Sequence, residues 1–260
     1  MHFHFLDQYH ARSSPLHRLD ARVILAWTLS IILACSLQPD GAWPALILLA
    51  AGLISMEMLT FLPVGYYWRR SLLALPFVLA AIPLLFSMPG NEVTIGGLSI
   101  SAAGLVRFGT IAVKAILSVQ TALILATTTS QADLLAALRW LHLPGILVTV
   151  TGLMVRYLGV IGDEAGRLVR ARSARSGVPA GYAGKTGGTL PWRAKVTGGM
   201  VGNLLLRSID RSDRVYNAML ARGYNGEIRQ LDGRKLTSGE WILAAAGLLV
   251  CAGIVILGRL

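Results

Sequence analysis

Five apolar stretches, at residues 23–38, 43–61, 71–88, 106–127 and 241–258, constrain this chain more than any single motif. Roughly twenty apolar residues cross the hydrocarbon core of a bilayer as a helix, and fewer suffice when long basic side chains at the ends reach the headgroups. The composition agrees: 54% of residues are hydrophobic, only 14% are charged, and the mean hydropathy is +0.61, outside the range of soluble globular domains. The predicted fold class is therefore an all-α integral membrane protein with about five transmembrane helices. Arg18 and Arg22 precede the first run, and Ala34-Cys35-Ser36 loosely imitates a signal cleavage site. Further spans follow at once, so the run reads as an uncleaved first span. Cys35 and Cys251 sit inside apolar runs far apart in sequence, which reads as two buried free thiols.

Orientation follows from the loops. Arg12, Arg18 and Arg22 precede the first span and Arg69-Arg70 join the second to the third, whereas 38–42 and 89–104 contain no Lys or Arg. The positive-inside rule then places the N-terminus in the cytoplasm. In the outer loop, Val93, Ile95, Leu98 and Ile100 flank Gly96-Gly97 in a pattern that suits a short hairpin.

The apolar stretch at 146–161 is the difficult piece of the topology. If it crossed, residues 163–235, with fourteen Lys and Arg against six Asp and Glu, would lie outside, against the same rule. It is sixteen residues long and contains Arg156, so it is expected to lie along or dip into the inner face. The chain then divides into a four-span membrane region (1–128), a cytoplasmic coupling region (129–239) and a last transmembrane helix (240–260). Within the insert, Ser130 and Asp133 cap an amphipathic helix carrying Leu134, Leu135, Leu138 and Leu141, which Pro144-Gly145 ends. A second helix runs from about 146 to 175. A Gly-rich loop at 177–191 leads to a third helix at 193–222, stopped by Gly223.

The net charge of +11 is the ordinary excess of cytoplasmic loops and calls for no nucleic acid. Two short sequences within it resemble each other. Ala174-Arg175-Ser176 and Ala221-Arg222-Gly223 each set an arginine and a turn-permitting residue at a helix C-terminus. An arginine there compensates the helix dipole. It also presents a rigid, always-charged fork suited to a carboxylate-bearing groove on a partner. Local physics leaves both readings open.

Residues along the whole chain carry a family likeness. Ser14-Pro15-Leu16-His17-Arg18-Leu19-Asp20 and Ala21-Arg22-Val23 lead into the first span. Ile100-Ser101, Gly104-Leu105, Thr127-Thr128, Leu138, Leu141-His142-Leu143-Pro144, Arg156-Tyr157 and Glu164 follow in order, and Ala218-Met219 and Tyr224 bracket the second motif. In this the chain resembles the transmembrane (T) subunit of energy-coupling-factor transporters, in the cobalt/nickel CbiQ-like branch. The likeness implies that Ala174, Arg175, Ser176 and Ala221, Arg222, Gly223 mark two coupling helices, each seated in a groove of one of two ABC-type ATPase subunits. Ser176 departs from the family's glycine, and Ala171-Arg172-Ser173 is an alternative register. Arg175 is preferred because the family places an alanine three residues before the motif, and Ala171 fits. Arg172, Arg156 and Glu164 are further candidates for coupling or structural roles. The likeness also implies a separate substrate-capture membrane subunit for cobalt or nickel, a plasma (inner) membrane location, and a non-catalytic role without cofactor. A vitamin substrate or a stand-alone channel or carrier is the alternative.

Other features weigh less. Gly184-Lys185-Thr186 imitates the end of a phosphate-binding loop, but Pro179 stands where its first glycine belongs and no strand precedes it. His2, His4 and His10 suit a divalent cation by donor type, yet an alternating tail offers no rigid geometry. Lys114, within the fourth span, reads equally as functional or as snorkelling, and Glu57 lies too near the cytoplasmic end of the second span to be its clear partner. A membrane enzyme acting on a lipid-linked substrate would need an acid, base or nucleophile cluster, and the insert has no Cys and no His after His142.

Overall fold

The computed structural model describes residues 14–87, 92–95, 98–175, 188–226 and 236–259. The chain divides into two compact units. The described residues of one lie within Leu141–Asp232, and those of the other within Gln8–Trp140 and Gly233–Leu260. In chain order the elements are α1 (Pro15–Arg18), α2 (Ala21–Leu37), α3 (Trp43–Leu59), α4 (Val64–Ser71), a single 3-10 turn (Leu72–Ala74), α5 (Leu75–Ala80) and α6 (Leu84–Ser87). There follow β1 (Glu92–Ile95), β2 (Leu98–Ser101), α7 (Ala102–Thr128), α8 (Gln131–Trp140), α9 (Gly145–Arg175), α10 (Leu190–Ala221) and α11 (Ser238–Leu257). The fold is that of an α-helical membrane protein. Helices α7, α9 and α11 are long and apolar enough to cross a bilayer, and α2 and α3 are shorter apolar helices.

In the first of these units by sequence, α2 packs against α11, α7 and α8, and α3 packs on α7. Its ends are set by local hydrogen bonds. The Asp20 carboxylate accepts from the Arg22 amide at 2.9 Å and so caps α2. Thr237 and Glu240 form a reciprocal capping box at the start of α11. Ile31, Cys35, Leu46, Leu53, Leu117 and Ile124 share the core, while Leu33 (58% exposed), Ile47 (65%) and Leu249 (72%) face outward. Large apolar side chains on the outside of well-formed helices are what a hydrocarbon solvent requires.

Two expectations need physical comment. The run at 71–88, expected as one span, is not one helix: a 3-10 turn, α5, a turn at 81–83 and α6 follow one another. Pro76 and Pro83 each remove an amide donor from the ladder, which breaks the run into pieces. Arg69 and Arg70, expected in a loop, form the last turn of α4, where the Arg70 guanidinium lies 4.4 Å from the Tyr66 ring centroid. The expected hairpin is present, with β1 antiparallel to β2 and Val93 opposite Ile100. It feeds α7, whose start is fixed by Ser101 accepting from the Gly104 amide at 3.3 Å. A Cβ at Gly104 would lie 2.6 Å from the Leu84 carbonyl oxygen, so this close approach needs glycine.

Ser130 caps α8 as expected, accepting from the Asp133 amide at 3.2 Å. The helix stops at Trp140, before Leu141, and His142 turns the chain in the left-handed region (φ 59°). Trp140 meets Trp241 of α11 edge-on, with centroids 6.0 Å apart.

Candidate functional site

The second unit is built on α9 and α10. Two side-chain bridges fix how they lie. Arg207 Nη1 donates to Glu164 Oε1 at 3.1 Å, and Arg172 Nη1 donates to Thr197 Oγ1 at 2.8 Å. As the α9 number rises by eight the α10 number falls by ten, so the helices run in opposite directions. Beyond Glu164 toward the α9 N-terminus the pair opens into a cleft of about 910 Å³, lined by Val150, Leu153 and Met154 from α9 and by Ser208, Val215 and Met219 from α10.

The second motif has a defined backbone geometry. Ala221 is the last residue of α10, Arg222 is its C-cap (φ −94°, ψ 10°), and Gly223 takes φ +81°. The Tyr224 amide donates to the Met219 carbonyl at 3.0 Å and the Gly223 amide to the Leu220 carbonyl at 2.9 Å. These two bonds define a Schellman motif, which satisfies carbonyls that a helix end otherwise leaves orphaned. A Cβ on Gly223 would meet nothing within 4 Å, so the backbone angle rather than space calls for glycine. The glycine thereby ends the helix at the arginine, and the Arg222 side chain is exposed.

Arg222 lies in a second cleft, of about 650 Å³, with Arg156 and Tyr157 of α9 and with Ala218, Tyr224 and Asn225. No carboxylate is among its described lining residues, so two guanidinium groups give the cleft a positive field suited to an anionic group. In the first motif Ala174 and Arg175 are the exposed last residues of α9. Ser176 lies outside the described residues. Arg172 is half-buried and turned to Thr197, whereas no partner of Arg175 is found among the described residues. With 1.5 Å of rise per residue, Arg175 stands about 16 Å from Glu164 along α9 and Arg222 about 22 Å from Arg207 along α10, in opposite senses.

Glu164 is the electrostatic centre of the unit. Its Oε2 accepts from Arg167 one turn on, at 2.5 Å, while Oε1 accepts from Arg207. The hydrogen bond from Arg167 first, and the charges of Arg167 and Arg207 after it, hold this carboxyl below the usual glutamate range. Thr197 and Arg207 carry no sequence signal of this role. Each lies 25 or 43 residues from its partner, so only the antiparallel register identifies them.

Lys114 proves to have a specific partner: its Nζ donates at 2.6 Å to the carbonyl of Gln38, the C-cap of α2. A cation there satisfies an orphaned acceptor and opposes the helix dipole. Gln38 Nε2 in turn donates to the Ile254 carbonyl at 3.1 Å, tying α2, α7 and α11 together. Glu57 is fully buried and is not the partner of Lys114. His2, His4, His10 and Gly184-Lys185-Thr186 lie outside the described residues. Among the described residues no group of three or more His, Cys, Asp or Glu is placed to hold a metal ion.

Comparison with known proteins agrees. The cobalt transport protein CbiQ of Rhodobacter capsulatus is 25% identical over 230 residues, covering 87% of this chain and 88% of its own length. The energy-coupling factor transporter transmembrane protein EcfT of Heliobacterium modesticaldum is 28% identical over 231 residues, covering 85% and 84%. The nickel permease LarQ of Lactiplantibacillus plantarum is 29% identical over 123 residues, covering 47% of this chain and 41% of its own. The sequence model of the cobalt transport protein family CbiQ matches residues 12–231, a span that holds both arginine motifs and all but the last helix, and the chain belongs to that family.

Proposed function

We propose that this chain is the energy-coupling transmembrane subunit of an ATP-driven importer of cobalt or nickel ions. Its α9 and α10 are the coupling helices, and Arg175 and Arg222 are the contacts with two ABC-type ATPase subunits, one arginine to each. ATP-driven closure of the ATPases moves the two helices, and the membrane helices pass that motion to a separate subunit that captures the metal ion. The chain itself hydrolyses nothing. It sits in the plasma (inner) membrane with its N-terminus and the basic segment at 163–235 in the cytoplasm, and the apolar half of α9 stays on that side.

One observation carries the reading: two exposed arginines stand at the C-terminal ends of two oppositely directed helices. Arginines that only offset the helix dipole could point anywhere near their helix ends. Here the second motif also spends a glycine to stop the helix at Arg222, and Arg156 adds a second guanidinium to the same cleft, which suits an acidic groove. The separation of the ends gives each its own docking site. The tie of Arg172 to Thr197 supports Arg175 as the contact residue of the first motif. The relatives' names divide between cobalt and nickel, which fits an ion choice made by the capture subunit.

The test is the double charge reversal R175E/R222E in the assembled complex. The variant chain is expected to insert in the membrane as usual and to lose both ATPase subunits on purification. Retention of the ATPases by the double variant overturns the proposal. Metal-ion uptake into liposomes by the chain alone would favour the stand-alone carrier instead.

A further inference from the structure

The contact between α2 and α11 keeps one register. Trp27 Nε1 donates to the Leu243 carbonyl at 3.1 Å, and Gln38 Nε2 donates to the Ile254 carbonyl at 3.1 Å. Both bonds join residues 216 apart in sequence, so the two helices run parallel and stay in step for about three turns. Cys251 follows Cys35 by the same 216 residues, which sets the two cysteines level with each other.

They also lie on the faces that meet. Ala244, Gly247, Cys251 and Ile254, at spacings of three and four, belong to the less exposed face of α11. Their counterparts on α2, Thr28, Ile31, Cys35 and Gln38, are all buried. Cys251 packs against the core cluster that holds Cys35, and the two thiols are close enough for their charges to interact. The seam is narrow: a Cβ on Gly247 would run into the Trp27 indole, and one on Gly258 into the Gln38 carboxamide. Small residues at such a seam let two backbones approach closely. Axes about 8–10 Å apart, with Cα atoms about 2.3 Å off each axis, leave facing Cα atoms roughly 4–6 Å apart, which overlaps the range of about 4.4–6.8 Å over which a disulfide closes.

From this we infer that Cys35 and Cys251, both free thiols here, are a redox pair that a hydroperoxide converts to a disulfide, stapling α2 to α11. The exposure of the pair selects the class of oxidant. Cys35 is fully buried and Cys251 partly buried among apolar side chains, out of reach of a protein oxidant but open to a small uncharged molecule. The Cys251 sulfur attacks the hydroperoxide: an S–O bond forms, the O–O bond breaks, and an alcohol, or water from hydrogen peroxide, leaves with the thiol proton. The Cys35 sulfur then attacks the sulfenic sulfur of Cys251: the S–S bond forms, the S–O bond breaks, and water leaves with the second proton. Two thiols are oxidised and one peroxide is reduced. In the topology proposed above, α2 runs outward and this layer lies one turn from its outer end, on the side where disulfides persist. The pairing itself stands without the coupling reading.

The test treats the full-length chain in membranes with hydrogen peroxide or cumene hydroperoxide, blocks the remaining thiols and weighs the intact chain. The expected result is loss of both thiols together, a mass lower by two hydrogens, a linked Cys35–Cys251 peptide pair on digestion, and reversal by dithiothreitol. The variant V250C/C251A moves one thiol to a neighbour that is 62% exposed, off the seam, and is expected to crosslink at least about tenfold more slowly. The oxidised native chain in detergent is expected to melt several degrees higher than the reduced one, because the crosslink restricts the unfolded chain, and C35S is expected to show no such rise. Sulfinic acid at Cys251 with Cys35 still a thiol, disulfides between two chains, or equally fast crosslinking in V250C/C251A each overturns the proposal. An unchanged melting temperature in the crosslinked native chain overturns it as well.

Discussion

Gly223 shows how one residue's backbone preference becomes a site. Its φ of +81° lies where an L side chain crowds the following carbonyl, and the open space around it removes any steric reason for glycine. Gly223→Ala is therefore expected to cost the α10 C-terminus roughly 1 kcal/mol, and Gly223→Asn less, because asparagine tolerates the left-handed region. Hydrogen exchange at the Gly223 and Tyr224 amides measures this, with faster exchange in the alanine variant. Lys114 makes the complementary point. Sequence placed it in a span without a partner, and the partner is a backbone carbonyl 76 residues away that no side-chain pattern records. Lys114→Met leaves that acceptor without its donor, at a cost of about 1–3 kcal/mol, seen as a lower melting temperature of the detergent-solubilised chain.

At the scale of elements, helices were legible where caps and apolar length coincide. The Ser130 cap of α8 and the stop at Gly223 were readable because each rests on local bonds between near neighbours, whereas the Asp20 cap of α2 emerged only with the structure. The run at 71–88 reads as one helix by hydropathy, which counts Pro76 and Pro83 as ordinary members of an apolar run, but the backbone loses two donors there and breaks into pieces. Across α9 and α10, pH offers a test of the Glu164 contact. The folded-state pKa is lowered from the ordinary 4.5, so the contribution of this carboxylate is complete above that value and is lost as pH falls through the depressed one. Hydrogen-exchange protection along α9 and α10 should stay constant from neutral pH down to the ordinary glutamate range and weaken only in stronger acid. Weakening well above that range would assign the contact to a different group.

For the whole molecule, the apolar runs, the loop charges and the order of short motifs determined an α-helical membrane protein of one transport family with a basic insert. Those properties depend on composition and on contacts within a few residues, which sequence records directly. The tertiary structure alone decided which groups meet across long separations: Arg207 with Glu164, Thr197 with Arg172, Lys114 with the end of α2, and Arg156 with Arg222 in one cleft. Each such pair depends on the register of two helices packed side by side. Register is set by the summed packing of whole helix faces, so it cannot be read from either strand of sequence taken alone.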